Sequence, residues 1–198
     1  MLNQVKEALE KRDYTVHLFE TAQEAKEYLL GAISPNQSVG FGGSMTLKEL
    51  GLDQALTEQG NTVYWHWTAE DKEAAQRQAN LADVYLTSAN ALTKSGQIIN
   101  VDGHGNRVAA TIHGPGRVIF VIGRNKIAEN YDDAMKRIKT VVSPANAKRM
   151  NLDTPCAKTG VCMDCRGKQR ICNVTVVLEQ RLIGYQMDVV LVNEDLGY

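Results

Sequence analysis

Hydrophobic residues recur along the chain with two alternating periods. Some segments repeat their apolar residues every three or four positions, as one face of a helix requires, whereas others are short runs of β-branched and aromatic residues typical of strands. Glu24 follows Thr21 by three residues, which indicates a capping box at the start of a helix. The predicted helices lie at residues 2–9, from 21 onward, at 45–58, 69–81 and 132–142, and the predicted strands lie at 14–19, 38–41, 62–67, 84–86, 98–101, 118–122, 174–178 and 189–192.

The order of these elements predicts the fold class. Strands that alternate with helices of about 10–15 residues are typical of parallel βαβ units. We therefore expect an α/β protein with a mainly parallel sheet and helices on both faces. No helix separates the last two predicted strands, a spacing that permits a hairpin at one edge of the sheet. The chain has 198 residues, 43% of them hydrophobic, so a single domain over residues 1–198 is expected.

Charge and the length of the apolar runs exclude several classes of protein. The net charge is −1 at pH 7, so no overall basic surface favours nucleic acid or a membrane surface. The longest apolar runs, such as 118–122 and 174–178, are far too short to span a bilayer. The N-terminal residues lack the basic and apolar regions of a signal peptide, so a cytoplasmic location is expected.

A glycine-rich loop joins the strand at 38–41 to the following helix. Glycines let backbone N–H groups approach a ligand closely, and hydroxyl side chains at the start of a helix add hydrogen-bond donors. This pattern predicts an anion-binding loop, although it lacks the lysine of a P-loop and the full dinucleotide fingerprint. The alternative is a tight turn in which Ser44 or Thr46 caps the helix. The candidate ligand-binding residues are Gly40, Gly42, Gly43, Ser44 and Thr46.

A second polar, glycine-rich segment follows the strand at 98–101. Ligand pockets in open α/β sheets lie at the carboxyl ends of strands, so this segment is a candidate site. Asp102 and His104 are candidate catalytic groups, as general acid or base. Asn106 and Arg107 are candidate ligand-binding residues, and the arginine suits a carboxylate or phosphate. The alternative is a plain hairpin turn, since Asp-Gly and Gly-Asn are common turn formers.

All four cysteines lie in one polar segment, residues 148–173, which we expect to be an extended loop. The C-x2-C pair of Cys162 and Cys165 can chelate one metal, and Cys156 and Cys172 supply two further thiolates. Lysines and arginines in the same segment help to keep thiolates deprotonated. We predict a metal-binding loop that holds Zn or an iron–sulfur cluster. Four reduced thiols, or a redox-active C-x2-C pair, are the alternatives.

Three stretches of the sequence resemble the LUD-domain (lactate utilisation) family: GFGGSMTLKELGL, LTKSGQIINVDGHGNRVAATIHGPGRVIFVIGRNKI and NLDTPCAKTGVCMDCRGKQRICN. The resemblance implies a fold like that of ribose-phosphate isomerase and the CoA transferases. It also implies a part in lactate oxidation beside oxidoreductase or iron–sulfur partner proteins, which favours a [4Fe-4S] cluster over Zn. CoA transfer needs a carboxylate nucleophile, and residues 92–96 offer Lys94 and Ser95 instead.

These features together predict an accessory or electron-transfer component in the oxidation of lactate or a related organic acid. It would bind a small anionic ligand and a cysteine-ligated metal. The first alternative is a sugar-phosphate isomerase-like enzyme that uses Asp102 as a base in the same pocket. The second is a Zn-bearing module that binds nucleic acid or an acidic partner, against which the near-neutral net charge counts. The sequence leaves open whether the chain forms a homodimer and whether the two glycine-rich loops form one pocket.

Overall fold

The computed structural model describes residues 1–198, which form two β-sheets flanked by helices. The strands are β1 (Thr15–Phe19), β2 (Ser38–Phe41), β3 (Thr62–Tyr64), β4 (Val84–Thr87), β5 (Ala91–Thr93), β6 (Ile98–Asp102), β7 (Arg117–Gly123), β8 (Ile127–Ala128), β9 (Val174–Leu178) and β10 (Gln186–Val192). The helices are α1 (Leu2–Glu10), α2 (Ala22–Ala32), α3 (Met45–Leu50), α4 (Leu52–Gln59), α5 (Lys72–Ala79), α6 (Asn106–Ile112), α7 (Tyr131–Arg137), α8 (Ser143–Arg149) and α9 (Pro155–Thr159). None of these helices is both long and apolar enough to cross a membrane.

The main sheet has six parallel strands in the order β1-β10-β7-β4-β2-β3. Successive side chains of a strand point to opposite faces, so each inner strand contributes to two apolar cores. In β7, Phe120 packs with α1, α5 and α6 on one face, whereas Ile119 and Val121 pack with α2, α3 and α4 on the other. Burial on both faces is what parallel sheets require, and it confirms the predicted α/β class with helices on both faces.

A smaller sheet of four strands, in the order β8-β5-β6-β9, lies beside the main one. The strand β6 pairs antiparallel with both β5 and β9, while β5 pairs parallel with β8. Its apolar residues, including Ala91 and Ile99, form a third cluster with α7 and the π-helical segment Ile138–Val142. Asp102 ends β6, so this small sheet carries the second candidate loop.

The expected hairpin between the last two strands is wrong. The strand β9 pairs with β6 in the small sheet, whereas β10 lies in the main sheet between β1 and β7, parallel to both. The physical reason is the burial of β10 on both faces: Val189 packs into one core and Val190 into the other. A strand that is apolar on both faces is stable only in the middle of a covered sheet, not at an edge.

The helix predicted at residues 132–142 is longer than expected. It runs through α7, a π-helical segment and α8, ending at Arg149. Pro144 lies in the first turn of α8, directly after the π-helical segment. The extension carries polar residues of α8 towards the carboxyl edge of the main sheet. The predicted extended loop at 148–173 likewise contains a short helix, α9, capped by the side chain of Thr154.

Candidate functional site

A cavity of about 170 Å³ opens at the carboxyl ends of β2, β4 and β7, three neighbouring strands of the main sheet. Both glycine-rich loops contribute to it: Gly43 and Ser44 come from the first, and Asp102 and His104 come from the second. The two candidate loops therefore form one pocket, a point that the sequence left open. One water molecule needs about 10–15 Å³ of such space, so the cavity has room for a ligand of several non-hydrogen atoms.

The residues of the first glycine loop divide between binding and packing. Gly43 and Ser44 line the cavity, and the Ser44 Oγ accepts a hydrogen bond from the backbone N–H of Leu47 over 3.3 Å, as a helix cap does. Gly40 instead faces α5, where a Cβ would lie 2.4 Å from the carbonyl oxygen of Ala79. Gly40 is thus required for the contact between β2 and α5 rather than for a ligand.

Gly42 and Thr46 lie just outside the cavity. A Cβ at Gly42 would come within 2.8 Å of the Oγ1 of Thr87. Thr46 is fully buried, and its hydroxyl donates to the carbonyl oxygen of Leu196 over 3.2 Å. The role of Thr46 is to hold a neighbouring side chain in place.

That neighbour is Lys126, which lies in the single 3-10 turn after β7 and is only 3% exposed. Its Nζ donates to the Oγ1 of Thr46 and to the Oγ of Ser88, both over 2.8 Å. No carboxylate forms an ion pair with it. Lys126 and Ser88 both line the cavity, so the site contains a buried amine without a protein counter-ion.

Burial is the main reason why the pKa of Lys126 is lowered from 10.5 to about 7. The nearby cations Arg137 and Arg107 lower it further, and only Glu49 acts in the opposite direction. At neutral pH the amine is therefore divided between its charged and neutral forms. A buried lysine in this condition is available both to an anion and as a nucleophile.

Asp102 is only 9% exposed, and its carboxylate uses its two oxygens differently. The Oδ1 accepts hydrogen bonds from the backbone N–H groups of His104 and Gly105, over 3.1 and 3.2 Å, and so fixes the turn into α6. The Oδ2 has no hydrogen-bond partner and lies 3.7 Å from the Nε of Arg107. Buried polar atoms are normally paired, so this unpaired oxygen is an exception within the structure.

Arg107 serves the protein more than the cavity. Its guanidinium donates to the Oδ1 of Asn100, to the Oδ1 of Asn90 over 3.2 Å and to the carbonyl oxygen of Val101 over 2.7 Å. The backbone N–H of Asn90 also donates to the Oδ1 of Asn100, and the backbone N–H of Val101 donates to the Oδ1 of Asn90. Arg107 thus ties the loop after β4 to β6, and little of its donor capacity is left for a ligand.

The remaining predicted residues, His104 and Asn106, also line the cavity. The opposite wall combines Trp67 with Arg149 of α8, whose guanidinium lies 4.7 Å from the centre of the indole ring. Arg149 also donates to the Tyr198 hydroxyl over 3.1 Å. Arg149 is exposed, and its contact with the ring places a second cation at the cavity, besides Lys126.

The cysteine segment forms part of the same wall. Ile171 and Cys172 line the cavity, and Asn173 donates its backbone N–H to the carbonyl oxygen of Asp102 over 3.0 Å. The Cys172 thiol donates to the Oγ of Ser143 over 3.3 Å. Burial raises the pKa of this thiol, and the neighbouring thiols Cys162 and Cys156 raise it further.

All four cysteines are free thiols. Their chemistry fits Zn or an iron–sulfur cluster. However, no three His, Cys, Asp or Glu side chains lie close enough together here to hold one metal ion. A metal bound by Cys156, Cys162, Cys165 and Cys172 would require the segment to close around it. The metal site therefore remains a prediction.

Several of the residues that line the cavity were not predicted from the sequence. Lys126 carried one usable signal, since it follows the most apolar run, 118–122, and so lies at the carboxyl end of a central strand. Ser88 and Asn90 carried the same signal after β4. The sequence carried no such signal for Arg149, because this residue reaches the cavity only through the extension of the helix beyond residue 142.

Comparison with known proteins agrees with this architecture. A structure described as a DUF162 family protein from Deinococcus radiodurans matches with a TM-score of 0.56 and 13% identity, covering 96% of this chain and 95% of that one. Ribose 5 phosphate isomerase A from Neisseria gonorrhoeae matches with a TM-score of only 0.37 and 14% identity over 57% of this chain and 56% of that one, which is too little to support an argument. No curated protein sequence matches. The sequence model of the LUD domain matches residues 2–192, so the chain belongs to the LUD domain family.

Proposed function

We propose that this protein binds a small organic anion, lactate or a related hydroxy or oxo acid, as an accessory or electron-transfer component in the oxidation of that acid. The observation that carries the proposal is Lys126, a buried amine that lines the cavity and has no carboxylate partner. A buried charge without a partner is costly, so a bound anion that supplies the counter-charge is strongly favoured. Membership of the LUD family supports lactate or a relative as the anion.

The polar groups of the cavity suit a hydroxy or oxo acid. Lys126 and Arg149 supply positive charge for a carboxylate. Asp102 also lines the cavity, and its unpaired Oδ2 would accept a hydrogen bond from a hydroxyl group of a ligand that reaches it. A simple inorganic anion would satisfy the cations but leave the Asp102 oxygen unpaired. A ligand that carries both a carboxylate and a hydroxyl group would pair with the cations and with the Asp102 oxygen.

The binding proposal is tested by thermal unfolding with sodium lactate, against sodium chloride at the same ionic strength. A ligand at about 100 times its Kd stabilises by about 2.7 kcal/mol, which raises the Tm of a chain of this size by several degrees. We expect Lys126→Met to lose this shift. Lys6→Met is the matched control, because Lys6 pairs with Glu10 on the exposed face of α1 and does not line the cavity. An equal shift in all three proteins would overturn the proposal.

We also propose that the four cysteines take up a metal, with an iron–sulfur cluster as the group that would supply electron transfer. The supporting observation is that four free thiols lie in one segment and that one of them, Cys172, lines the ligand cavity. The test is metal analysis and a visible spectrum on protein purified without oxygen, compared with Cys162→Ser. Iron or zinc that disappears in the variant supports the proposal, whereas metal-free protein under these conditions overturns it.

A sugar-phosphate isomerase is the second candidate function, favoured by the unpaired Oδ2 of Asp102. A general base needs an oxygen that can accept a proton from the substrate, and Asp102 is a lining residue with one unpaired carboxylate oxygen. The isolated protein should then interconvert an aldose phosphate and a ketose phosphate, and Asp102→Asn should abolish turnover. Absence of turnover with ribose 5-phosphate, combined with stabilisation by lactate, would leave the binding function alone.

A further inference from the structure

We propose that Lys126 forms a reversible imine with a 2-oxo acid in this cavity. The inference rests on the proposed function, because it requires the same cavity to bind a carboxylate. It adds a covalent step and a nucleophile, and it narrows the ligand class to acids that carry a carbonyl group beside the carboxylate.

The hydrogen bonds of Lys126 leave its nitrogen free in one direction. Thr46 donates its own hydroxyl hydrogen to the carbonyl oxygen of Leu196, so its Oγ1 accepts from Lys126. Ser88 is the only other partner of the Nζ. A tetrahedral amine with two bonds directed into the protein keeps one position for a ligand: a third N–H when charged, a lone pair when neutral.

The surroundings of the amine favour the neutral form. No carboxylate pairs with Lys126, and the positive groups of Arg107 and Arg137 lie close enough to disfavour a further cation. Desolvation together with a neighbouring cation is the arrangement that converts a lysine into a nucleophile for carbonyl compounds. Lysines on the surface, such as Lys6 and Lys158, are instead paired with carboxylates and hydrated.

The step balances without a further reactant. The lone pair of the neutral amine attacks the carbonyl carbon of the acid, and the carbonyl oxygen takes up a proton to give a carbinolamine. The C–O bond then breaks, the oxygen leaves as water, and a C=N bond forms to the Lys126 nitrogen. Relative to the ammonium form of the lysine, both hydrogens of the water come from the nitrogen, and one proton and the positive charge remain on the iminium product.

A carboxylate beside the carbonyl group explains why a 2-oxo acid suits this lysine. In the iminium product the carboxylate is attached to the carbon of the C=N bond, so it lies against the positive charge. No carboxylate of the protein pairs with Lys126, so the adduct supplies the missing counter-ion. An uncharged aldehyde or ketone would leave the buried cation unpaired.

The experiment traps the imine with sodium cyanoborohydride in the presence of pyruvate. Reduction converts the imine into a stable secondary amine, which intact-mass measurement detects as one reduced pyruvate adduct per chain, and peptide mapping locates it. We expect Lys126 to be modified about tenfold faster than any other lysine. Sodium lactate, which has no carbonyl group, should give no adduct and should slow trapping by pyruvate.

Two variants separate failure of this inference from failure of the binding function. Lys126→Arg keeps a cation in the cavity but cannot form an imine, so it should retain some stabilisation by pyruvate and lose trapping; Lys6→Met should behave as the unmodified protein. Thermal stabilisation by pyruvate without a Lys126 adduct would overturn the imine and leave the binding function intact. No stabilisation and no adduct would overturn both, and adducts spread evenly over surface lysines would overturn the imine at Lys126.

Discussion

The Nζ of Lys126 lies 2.8 Å from the Oγ of Ser88, and these two side chains come from the loops that follow β7 and β4. The two strands are neighbours in the main sheet. Since parallel strands bring their carboxyl ends to one edge, residues 38 positions apart in the chain meet at the cavity. The sheet topology therefore places the amine of Lys126 beside Ser88 at the cavity. The titration of this amine can be measured.

The stability of the protein should rise with pH above neutrality because of Lys126. Its folded-state pKa is about 7, below its ordinary value of 10.5. Between these values the unfolded chain binds a proton that the folded chain lacks, so the free energy of unfolding increases by up to about 1.4 kcal/mol per pH unit. Urea unfolding of the unmodified protein and Lys126→Met, from about pH 7 to about pH 9, measures this difference. Parallel stability curves for the two proteins would contradict the assignment.

Binding of lactate should show the opposite pH dependence. The charged form of Lys126 attracts the carboxylate, and above a pKa of about 7 the free protein must take up a proton to provide it. The Kd for lactate should therefore rise by about tenfold per pH unit above neutrality, as measured by titration calorimetry. In two buffers of different ionisation enthalpy, the calorimetric heats should differ by the corresponding proton uptake. A Kd that is constant over this range would argue against Lys126 as the anion-binding group.

Gly40→Ala should destabilise the protein without a direct effect on the ligand. The new Cβ would meet the carbonyl oxygen of Ala79 at 2.4 Å, so β2 and α5 must move apart at a cost of about 1–3 kcal/mol. Gly31→Ala is the matched control, because that glycine lies in α2 with open space around its Cβ position. Alanine is the better helix former, so the control should be stabilised by up to about 1 kcal/mol. Equal unfolding midpoints in urea would contradict the packing role of Gly40.

Substitutions of Asp102 should separate the effect of the Oδ1, which holds the turn into α6, from the effect of the unpaired Oδ2. Asp102→Asn keeps the Oδ1 that accepts from the backbone of His104 and Gly105, whereas Asp102→Ala removes it. We expect the alanine variant to lose about 1–2 kcal/mol of stability and the asparagine variant to lose much less. Both variants should bind lactate more weakly, since both lack the carboxylate oxygen at the cavity. Unchanged lactate binding by Asp102→Asn would exclude the free oxygen from ligand binding.

Arg107→Leu should be among the most damaging single changes. The substitution leaves the side-chain oxygens of Asn90 and Asn100 without their arginine donor and leaves the Asp102 carboxylate without its nearest cation. Loss of one partner from such a buried network costs about 3–5 kcal/mol. Urea unfolding should show a lower midpoint, and Arg107→Lys should recover only part of the loss because one ammonium group cannot reach both asparagines. A midpoint close to that of the unmodified protein would contradict this role.

The sequence predicted the parallel sheet because its strands alternate with helices, which is the order of parallel βαβ units. It could not predict strand partners, because run length does not reveal them: β9 is partly exposed at the side of the small sheet, and β10 is buried at the centre of the large one. Both are runs of β-branched residues in the sequence.

The sequence predicted the loops that form the candidate site but not the buried lysine that gives the site its chemistry. Gly43, Ser44 and Asp102 lie where strand ends predicted them to lie. Lys126 follows the apolar run 118–122, which predicts its place at a strand end, but the polar turn before it is typical of a surface lysine. Its burial depends on Thr46 and Leu196, which are distant in the chain, so no local pattern could reveal it.

The position of β10 also sets the order in which the chain can fold during synthesis. The edge strand β1 pairs only with β10, so residues 15–19 have no partner strand until residues 186–192 have left the ribosome. Until then the edges of β1 and β7 that pair with β10 stay open to solvent and to other nascent chains. Contacts between such distant segments form slowly. We infer that this protein completes its main sheet only after nearly all of these 198 residues have been translated.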